Sequence, residues 1–483
     1  MTPTPTTPER TGPGPALLLS VLLPAVLVTV IASDMVNLML PSIGAEFGAS
    51  EAELAWVVTG FLLTFSVGIP FYGRVSDRVS LRRLFGFALL TYAAGSLICA
   101  LAPDLLVLVL GRIVMGAGAA ALPVLSIIAV TRLLPAEQRG MGIGVVSAAA
   151  GIGTAAGPAI GGGVGQFLGW PALFWLMLVA ALVLLPAAVR VLPGEPPAGA
   201  DRFDLPGGVL LGLGAGLALF GTTQAQAGGF AAPSSWGSLA VAAAAIALFG
   251  WRTVRFARPF VPPALFANRV YRVAVVVAFS AMAVNLGGLV FVPLLVVDVN
   301  GLGPGAGALV MIPAGAAVAV LSPLIGRLAD RIGTRALVLT GLALMGAFAL
   351  FLSAFTGGTS VIPAGAGILG LSVGFILVLT PIISAAAGAL PSDQVGVGLG
   401  ILQGAQFLGA GAGPALFGAL VTARQQSGGG AVNPLYPGQD GAAFSDAFLA
   451  MAVVAALTLV VALRMRPATA PETASAGDAD KVH

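Results

Sequence analysis

The sequence predicts an all-helical integral membrane protein made of two similar six-helix halves, with two further helices inserted between them. The first observation is composition: of 483 residues, 58% are hydrophobic and 8% are charged, with a mean hydropathy of +1.02. The second is that apolar stretches of eighteen or more residues recur from end to end, as in membrane proteins. The third is a charged phrase that occurs twice, GRVSDRVSLRRL at 73–84 and GRLADRIGTRAL at 326–337.

Fourteen apolar segments are candidate spans, because a bilayer core about 30 Å thick needs about 20 helical residues. They are too long for the short alternating strands of a membrane barrel. Lipid offers no partner to unpaired backbone groups, so the spans should be helices. The predicted spans are residues 16–40, 52–72, 84–102, 105–130, 141–164, 171–190, 207–225, 236–251, 273–297, 304–325, 336–355, 361–386, 396–422 and 445–463.

Matched phrases indicate an internal repeat. LLPAEQRGMGIG at 133–144 corresponds to ALPSDQVGVGLG at 389–400, and GTAAGPAIGG at 153–162 corresponds to GAGAGPALFG at 409–418. Repeated halves are a transporter architecture, with substrate bound between the halves near the midplane. The predicted organisation has five parts: a disordered tail (1–15), an N-terminal bundle (16–190), linkers with two extra spans (191–272), a C-terminal bundle (273–463) and a second disordered tail (464–483).

The placement of arginine predicts the orientation. Of the 22 basic residues, all except Arg112 and Arg424 fall on the two tails or in loops on one side. By the positive-inside rule this side is cytoplasmic, so both termini should be cytoplasmic and the protein should lie in the inner (cytoplasmic) membrane. The first apolar segment is longer than the core of a signal peptide, which favours a span.

The residues that are typical of several other classes of protein are absent from this sequence. The single cysteine, Cys99, is expected to be buried and inert, and one histidine with no Cys/His cluster predicts no metal site. The sequence contains no P-loop, so we do not expect ATP to drive its activity. It also contains no convergent set of catalytic groups, so we do not expect the chain to be an enzyme. A sensor or assembly factor should carry a soluble domain, but the longest non-membrane segment, 252–272, is too short.

Two charges lie inside predicted spans. Asp34 precedes Pro41, at the outer end of span one, by seven residues, and Arg112 follows Asp104, at the outer end of span four, by eight. At 1.5 Å per residue, both should lie about 10–12 Å below the outer surface. Each charge alone costs about 2.5–3.5 kcal/mol on insertion scales, so the equal depth suggests a mutual or a water-filled environment. A structural ion pair and a functional pair are both consistent with it.

Other side chains are candidates for a substrate cavity. Polar groups in apolar surroundings are costly unless paired, so they should face protein or cavity. A pair such as Phe61 and Phe65, four residues apart, more often faces lipid or packs against protein than binds a ligand. The candidates are Asn37, Phe61, Phe65, Asn285, Gln403 and Gln406.

The charged phrase has two interpretations. In the first, its arginines keep the loop at the inner leaflet of the membrane. In the second, its carboxylate, Asp77 or Asp330, accepts hydrogen bonds from backbone N–H groups at the start of a helix. Ser80, in the first copy, could cap the third span. The candidate gating residues are Gly73, Asp77, Arg78, Arg83, Gly326, Asp330 and Arg331.

These motifs resemble those of the major facilitator superfamily. The charged phrase resembles its motif A, LVLGRIVMGAGAA at 108–120 its motif B, and GTAAGPAIGG its motif C, which marks the drug:proton antiporter branch. SDMVNLMLPSI at 33–43 resembles the end of the first span in fourteen-span members, and the whole chain is similar to the Gram-positive tetracycline-efflux type. The resemblance implies a major facilitator fold, an inner clasp at motif A, proton transfer at Asp34 and Arg112, and a sealing bent helix that carries Gly153, Gly157, Pro158, Gly161 and Gly162.

The expected function is proton-coupled efflux of small amphipathic drugs or antibiotics by alternating access. The alternative is a uniporter or importer of a small metabolite. The expected partners are the substrate, protons and the lipid bilayer, with no nucleic acid, no cofactor beyond the proton gradient, and a monomeric chain. Thr154 and Ala410 stand where tetracycline exporters of this type carry further acids, so tetracycline itself is a doubtful substrate.

Overall fold

The computed structural model describes most of the chain between the two tails. The predicted tails, 1–15 and 464–483, lie almost wholly outside the described residues, as does Asn37. The described ranges are 14–36, 39–49, 51–195, 204–228, 232–256, 259–301, 304–355, 360–391, 394–436 and 441–465.

The described residues form helices throughout. The first half contains α1 (Pro15–Asp34), α2 (Leu40–Phe47), α3 (Glu51–Val75), α4 (Leu81–Ala100), α5 (Leu105–Ala119), α6 (Ala121–Leu133), α7 (Ala136–Leu168) and α8 (Trp170–Val191). Between the halves lie α9 (Leu205–Gly228), α10 (Pro233–Arg255) and the short α11 (Ala264–Ala267). The second half contains α12 (Arg269–Leu294), which continues into a π-helical turn, α13 (Pro304–Ile332), α14 (Thr334–Phe355), α15 (Ile362–Gly388), α16 (Val395–Ser427) and α17 (Ala442–Ala462).

The first span is shorter than predicted. The sequence predicted a span over 16–40, but α1 ends at Asp34 and a separate helix, α2, begins at Leu40. Pro41 gives the physical reason, because a proline ring clashes with the carbonyl four residues earlier and has no N–H to donate. Asp34 therefore lies at a helix end and not inside a continuous helix.

Proline also divides the fourth span. Helices α5 and α6 form one apolar stretch, Leu105–Leu133, interrupted at Ala120. Pro123 lies in the first turn of α6, and its ring would clash with the carbonyl of Ala119 in an unbroken helix. The break leaves Arg112 in α5, on the side of the interruption that is away from the arginine-rich loops.

The predicted count of fourteen spans is not supported. Among the described residues, twelve helices are long and apolar enough to cross a membrane. The two predicted spans outside this set, 141–164 and 207–225, lie in α7 and α9. The apolar part of α9 is Pro206–Thr222, which falls short of the roughly 20 residues that a bilayer core requires.

Among the described residues, the most extensive contacts between the halves involve two helix pairs. Helix α3 packs against α16, and α7 packs against α13. Both contacts are close because glycines meet: a methyl group at Gly73 would lie 2.5 Å from the carbonyl oxygen of Gly396, and one at Gly326 would overlap the backbone of Gly140. Small residues at these crossings let the backbones approach each other.

The inserted helix α9 also touches both halves. Its partner α10 packs beside it, while α9 itself packs against α3 and α16. Phe220 of α9 stacks on Trp56 of α3 with ring centroids 5.3 Å apart, and Leu219 contacts Gly411 of α16. Helix α9 therefore covers the seam between α3 and α16.

Ion pairs fasten helix ends on both sides. Asp204 precedes α9, accepts a hydrogen bond from the N–H of Gly207, and pairs with Arg252 of α10 at 2.8 Å. On the other side, Arg424, the predicted exception to the arginine pattern, pairs with Asp446 of α17 at 2.5 Å. Cys99 is free and buried, which agrees with the prediction of an internal thiol.

Candidate functional site

The predicted arginine of span four is fully buried. Arg112 of α5 is 0% exposed, and its Nε donates to the carbonyl of Val57 in α3 at 3.0 Å. One terminal nitrogen donates to the carbonyl of Ala32 in α1, also at 3.0 Å. The guanidinium carbon lies 4.2 Å from the centre of the Phe61 ring, a distance typical of a cation–π contact. Two other helices, α1 and α3, thus contact this one side chain of α5.

The contact with α1 places Arg112 beside the helix end that carries Asp34. Ala32 lies two residues before the end of α1, where carbonyls lack intrahelical donors. The arginine supplies such a donor. The side chain of Asp34 and all of Asn37 lie outside what the structure describes, so Asp34 is placed by its backbone alone.

The predicted aromatic pair is buried and joins the two halves. Phe61 and Phe65 stack with ring centroids 5.8 Å apart, and both are at most 5% exposed. Phe65 also meets Phe407 of α16 edge to face at 5.0 Å. The pair packs between Arg112 and the second half, so the structure favours packing over contact with lipid.

The predicted amides lie buried in the second half. Asn285 of α12 and Gln403 and Gln406 of α16 are 3–5% exposed. Within the described residues, Asn285 Oδ1 and the Nε2 atoms of both glutamines have no hydrogen-bond partner. Sequence analysis missed Thr380 of α15, whose buried hydroxyl is also unsatisfied; the only signal was a hydroxyl in an apolar stretch. Each such group costs about 1–3 kcal/mol.

Asp77 forms what we call the first clasp, between α3 and α16. It follows the end of α3 and accepts hydrogen bonds from the backbone N–H groups of Gly396 at 2.9 Å and Val397 at 3.0 Å. These are the bonds to a helix start that the sequence predicted, and the helix dipole favours a negative charge there. Arg132 pairs with the same carboxylate at 2.6 Å, and Arg74 lies 3.7 Å away.

The protonation of Asp77 reflects opposing effects. Burial raises the pKa of Asp77 to about 6, although Arg132, Arg74 and the two backbone N–H groups each lower it. The carboxyl is therefore mostly ionised at neutral pH, the form that accepts all of these bonds.

The main cation of the first clasp differs from the one expected. Sequence analysis placed Arg78 beside the carboxylate, but the closest guanidinium belongs to Arg132, with Arg74 farther away. Arg132 lies 55 residues away at the end of α6, and its only sequence signal was its place on the arginine-rich side. Arg83 is exposed, and its N–H bonds to Ser80 at 3.4 Å, so Ser80 caps α4 as predicted.

Asp330 forms the second clasp, between α13 and α7. It accepts hydrogen bonds from the N–H groups of Gly140 at 3.0 Å and Met141 at 3.1 Å. These donors occupy the positions that match Gly396 and Val397 in the repeat. The two clasps are thus copies of one arrangement, each joining one half to the other. Arg331, its neighbour in the phrase, is exposed.

The second clasp lacks the arginine of the first. Gly388 occupies the repeat position of Arg132, and within the described part of the chain no arginine pairs with Asp330. A cavity of about 190 Å³ lies beside Asp330 and is lined by Gly388, Arg139 and Ser384, among others. The Nε of Arg139 donates to a loop carbonyl.

The glycines of α7 form two faces. Near the arginine-rich side, Gly140 and Gly144 meet the backbone of α13. Towards the other side, Gly153 meets Val30 of α1 and Gly161 meets the backbone of Met35. Helix α7 therefore contacts the opposite half at one end and its own half at the other.

Of the remaining predicted residues in α7, Gly157 is buried. The side-chain environments of Pro158, Gly162 and Thr154 lie outside the described part. Ala410, the position aligned with Thr154, is partly buried in α16.

The sequence matches the Major Facilitator Superfamily over residues 22–414 and 319–482. It is 31% identical to the multidrug resistance protein Stp of Mycobacterium tuberculosis, over 80% of this chain and 72% of that protein. It is 26% identical to the lincomycin resistance protein LmrB of Listeria monocytogenes, over 81% of this chain and 83% of that protein.

Solved structures show the same fold. The human organic anion transporter MFSD10 superposes with a TM-score of 0.64 at 16% identity, covering 93% of this chain and all of the other. The proton:xylose symporter XylE gives a TM-score of 0.64 at 16% identity, covering 94% and 96%. The extent of the sequence match, the shared fold and the apolar helices lead to one conclusion: the chain is a multi-pass membrane transporter that belongs to the Major Facilitator Superfamily.

Proposed function

We propose that this transporter exports small amphipathic drugs or antibiotics by alternating access. The observation that carries the proposal is the 31% identity to a multidrug resistance protein across four-fifths of the chain. The two clasps support the mechanism. They join the halves on the arginine-rich side, as expected of a state that is closed there and opens on the other side.

We propose further that export is coupled to protons through Asp34 and Arg112. A carboxyl group in a low-dielectric site has its charged form disfavoured, while a neighbouring cation favours it. The hydrogen bond from Arg112 to Ala32 supports this pairing, because it brings the guanidinium to the end of α1. Movement of α1 relative to α5 would then alter the proton affinity of Asp34 as the transporter opens to each side.

The substrate region proposed here lies between the aromatic pair and the buried amides. Gln403 and Gln406 offer donors and Asn285 offers an acceptor that the described residues leave unsatisfied. An uncharged or weakly basic amphipathic molecule would satisfy them and place its apolar part near Phe65 and Phe407. Ala410 supplies no carboxylate, which supports the expectation that metal-chelated tetracycline is a doubtful substrate.

The finer architecture is also a proposal. We infer that α7 and α9 cross the bilayer together with the other helices, as in the fourteen-span antiporter branch. The length of α7, 33 residues, and the packing of α9 across the seam support this. With arginines on the cytoplasmic side, both termini would be cytoplasmic, in the inner membrane of a bacterium. A single chain contains both halves, which supports a monomer.

The test uses inside-out membrane vesicles from an efflux-deficient host that produces the full chain. An imposed proton gradient should drive accumulation of several amphipathic antibiotics, and a protonophore should abolish it. Asp34→Asn should remove this accumulation at equal protein level, while Asp104→Asn, which keeps an α5 cap on the outer side, should leave it intact.

Two outcomes would contradict parts of the proposal. Substrate movement that only follows its own gradient would favour a uniporter. Accumulation by Asp34→Asn at the wild-type rate would mean that the coupling group lies elsewhere.

A further inference from the structure

A cavity of about 390 Å³ opens on the arginine-rich side, between the start of α12 and the end of α17. Arg269 and Arg272 line it from the first turn of α12, and Arg464 lines it from the residues that follow α17. Val273 and Val461 complete the lining. Among the described residues, none of these three arginines is paired with a carboxylate.

The positive charge of the three arginines favours binding of an anion in this cavity. Like charges that share one cavity repel each other, so three guanidinium groups without a counter-charge raise its energy. Guanidinium forks match the oxygen geometry of phosphate and form paired, charge-assisted hydrogen bonds with it. A phosphate group is therefore the chemistry that the cavity fits.

Apolar surface continues from the arginines along both helices. On α12, Val276 lies one turn from Arg272 and is 46% exposed. On α17, Leu457 and Val460 lie two turns and one turn before Arg464 and are 63% and 55% exposed. In membrane-spanning helices such exposed apolar side chains face acyl chains. The phosphate site thus sits at the end of a lipid-facing surface.

The opposite half does not repeat this arrangement. Helix α1 matches α12 in the repeat, and its first turn, from Pro15 to Leu18, contains no basic residue. Helix α8 matches α17 and carries Arg190 in its last turn. The matching helices of the first half do not need three arginines to be oriented in the membrane. The three arginines at the start of α12 and the end of α17 therefore need another explanation.

We propose that this cavity binds the phosphate of an acidic glycerophospholipid from the inner leaflet, with the acyl chains lying along α12 and α17. Basic cavities between spans on the cytoplasmic side suit such headgroups. A bound phosphodiester would offset one of the three positive charges, and the lipid would connect the first helix of the second half to its last. The proposal uses the orientation given above but not the identity of the exported substrate.

The test measures lipid binding by the purified full chain in a neutral detergent. Phosphatidylglycerol should raise the melting temperature and appear as a bound lipid by native mass spectrometry, whereas phosphatidylcholine should not. Each of Arg269→Gln, Arg272→Gln and Arg464→Gln should weaken the binding by roughly fivefold, since one basic residue near an acidic surface contributes about that factor. Arg190→Gln should leave it unchanged.

Three results would overturn the assignment. Equal stabilisation by millimolar inorganic phosphate would mean an ion site and not a lipid site. Equal binding by the triple Gln variant would place the lipid elsewhere. Lipid binding that appears only after neutralising Glu472, Asp478 and Asp480 would mean that the C-terminal tail, and not a lipid, occupies the cavity of the native chain. None of these experiments measures proton-driven transport. A negative result for lipid binding would therefore leave the proposed export function untouched.

Discussion

A single buried arginine connects three helices of the first half. Arg112 reaches Val57 of α3, Ala32 at the end of α1 and the ring of Phe61, while belonging to α5 itself. A charge at this depth is costly unless its donors are satisfied. The planar fork of arginine can satisfy two carbonyls at once and stack on a ring, whereas a lysine ammonium cannot.

Arg112→Lys tests whether geometry or charge is required. The variant keeps the positive charge but should lose at least one carbonyl bond and the stacking contact, so proton-driven transport should fall by roughly tenfold or more. Transport in inside-out vesicles, at matched protein level, measures this. Wild-type transport by the lysine variant would mean that the charge alone is needed.

Asp77→Asn tests the first clasp. The amide has no charge and one acceptor oxygen, so it loses the ion pair with Arg132 and one backbone bond. A hydrogen bond to a charged group contributes about 1.5–3 kcal/mol, so the ratio of closed to open molecules on the arginine-rich side should fall by roughly tenfold or more. Ser322→Cys, buried in α13 where that helix meets Gly144 of α7, reports the opening of the arginine-rich side by thiol labelling in a Cys99→Ala background.

The control for this experiment is Asp104→Asn, an acid that caps α5 away from the clasp. Labelling of Ser322→Cys that is unchanged by the Asp77→Asn substitution would contradict the clasp and leave the charged phrase as a signal for orientation only.

Sequence reasoning found the acceptor of the clasp but not its cation. A short phrase with Asp77 beside a predicted helix start was enough to predict bonds to backbone N–H groups. Arg132 could not be found in this way, because its approach depends on where the end of α6 packs in three dimensions. For the same reason, the partners and the complete burial of Arg112 followed only from the fold, although its position inside a span was predicted.

Helix α7 has one glycine face for each half. Its arginine-rich end packs on α13 and its other end on α1. In the alternating access proposed above, the first contact would part while the second is kept. Glycine allows this because close backbone contact needs no interlocking side chains.

Gly326→Ala tests the contact with α13. The added methyl group would overlap the carbonyl of Gly140, and a backbone group cannot rotate away. The halves should separate on the arginine-rich side, with transport below about a tenth of wild type and labelling of Ser322→Cys increased. Gly365→Ala, at a helical glycine with open space, is the matched control. Normal transport by Gly326→Ala would mean that the two helices are farther apart in the working protein.

At this scale the sequence predicted where the helices lie better than where they end. Apolar length and the charged loops located the helices, because both follow from the bilayer. The ends depended on single prolines, as the break between α1 and α2 shows. The packing of α9 against both halves left no sequence signal, since its glycines could have faced any neighbour.

The molecule as a whole consists of two repeated halves, but the two clasps that join them are not equal. Both clasps use an aspartate and two backbone N–H groups, but Arg132 braces only the first, and α9 covers only the α3–α16 seam. The second clasp has Gly388 and a cavity at the matching place. The repeat was predictable from matched phrases, whereas this inequality required the structure.

Gly388→Arg should make the clasps equal. A side chain at this position meets no atom within 4 Å at its Cβ and would enter the cavity beside Asp330. A new ion pair should stabilise the closed arginine-rich side, so transport should slow severalfold and labelling of Ser322→Cys should decrease. Gly388→Gln fills similar space without charge and should have the smaller effect. Faster transport by the arginine variant would contradict this account.

Unequal clasps also give the opening movement a direction. The less strongly braced seam, α7 against α13, should part first, while α3, α9 and α16 remain together and act as a hinge. The cytoplasm would then reach the interior from one flank of the molecule instead of through its centre. A substrate dissolved in the inner leaflet beside α7 and α13 would meet that entrance before one arriving from the aqueous phase.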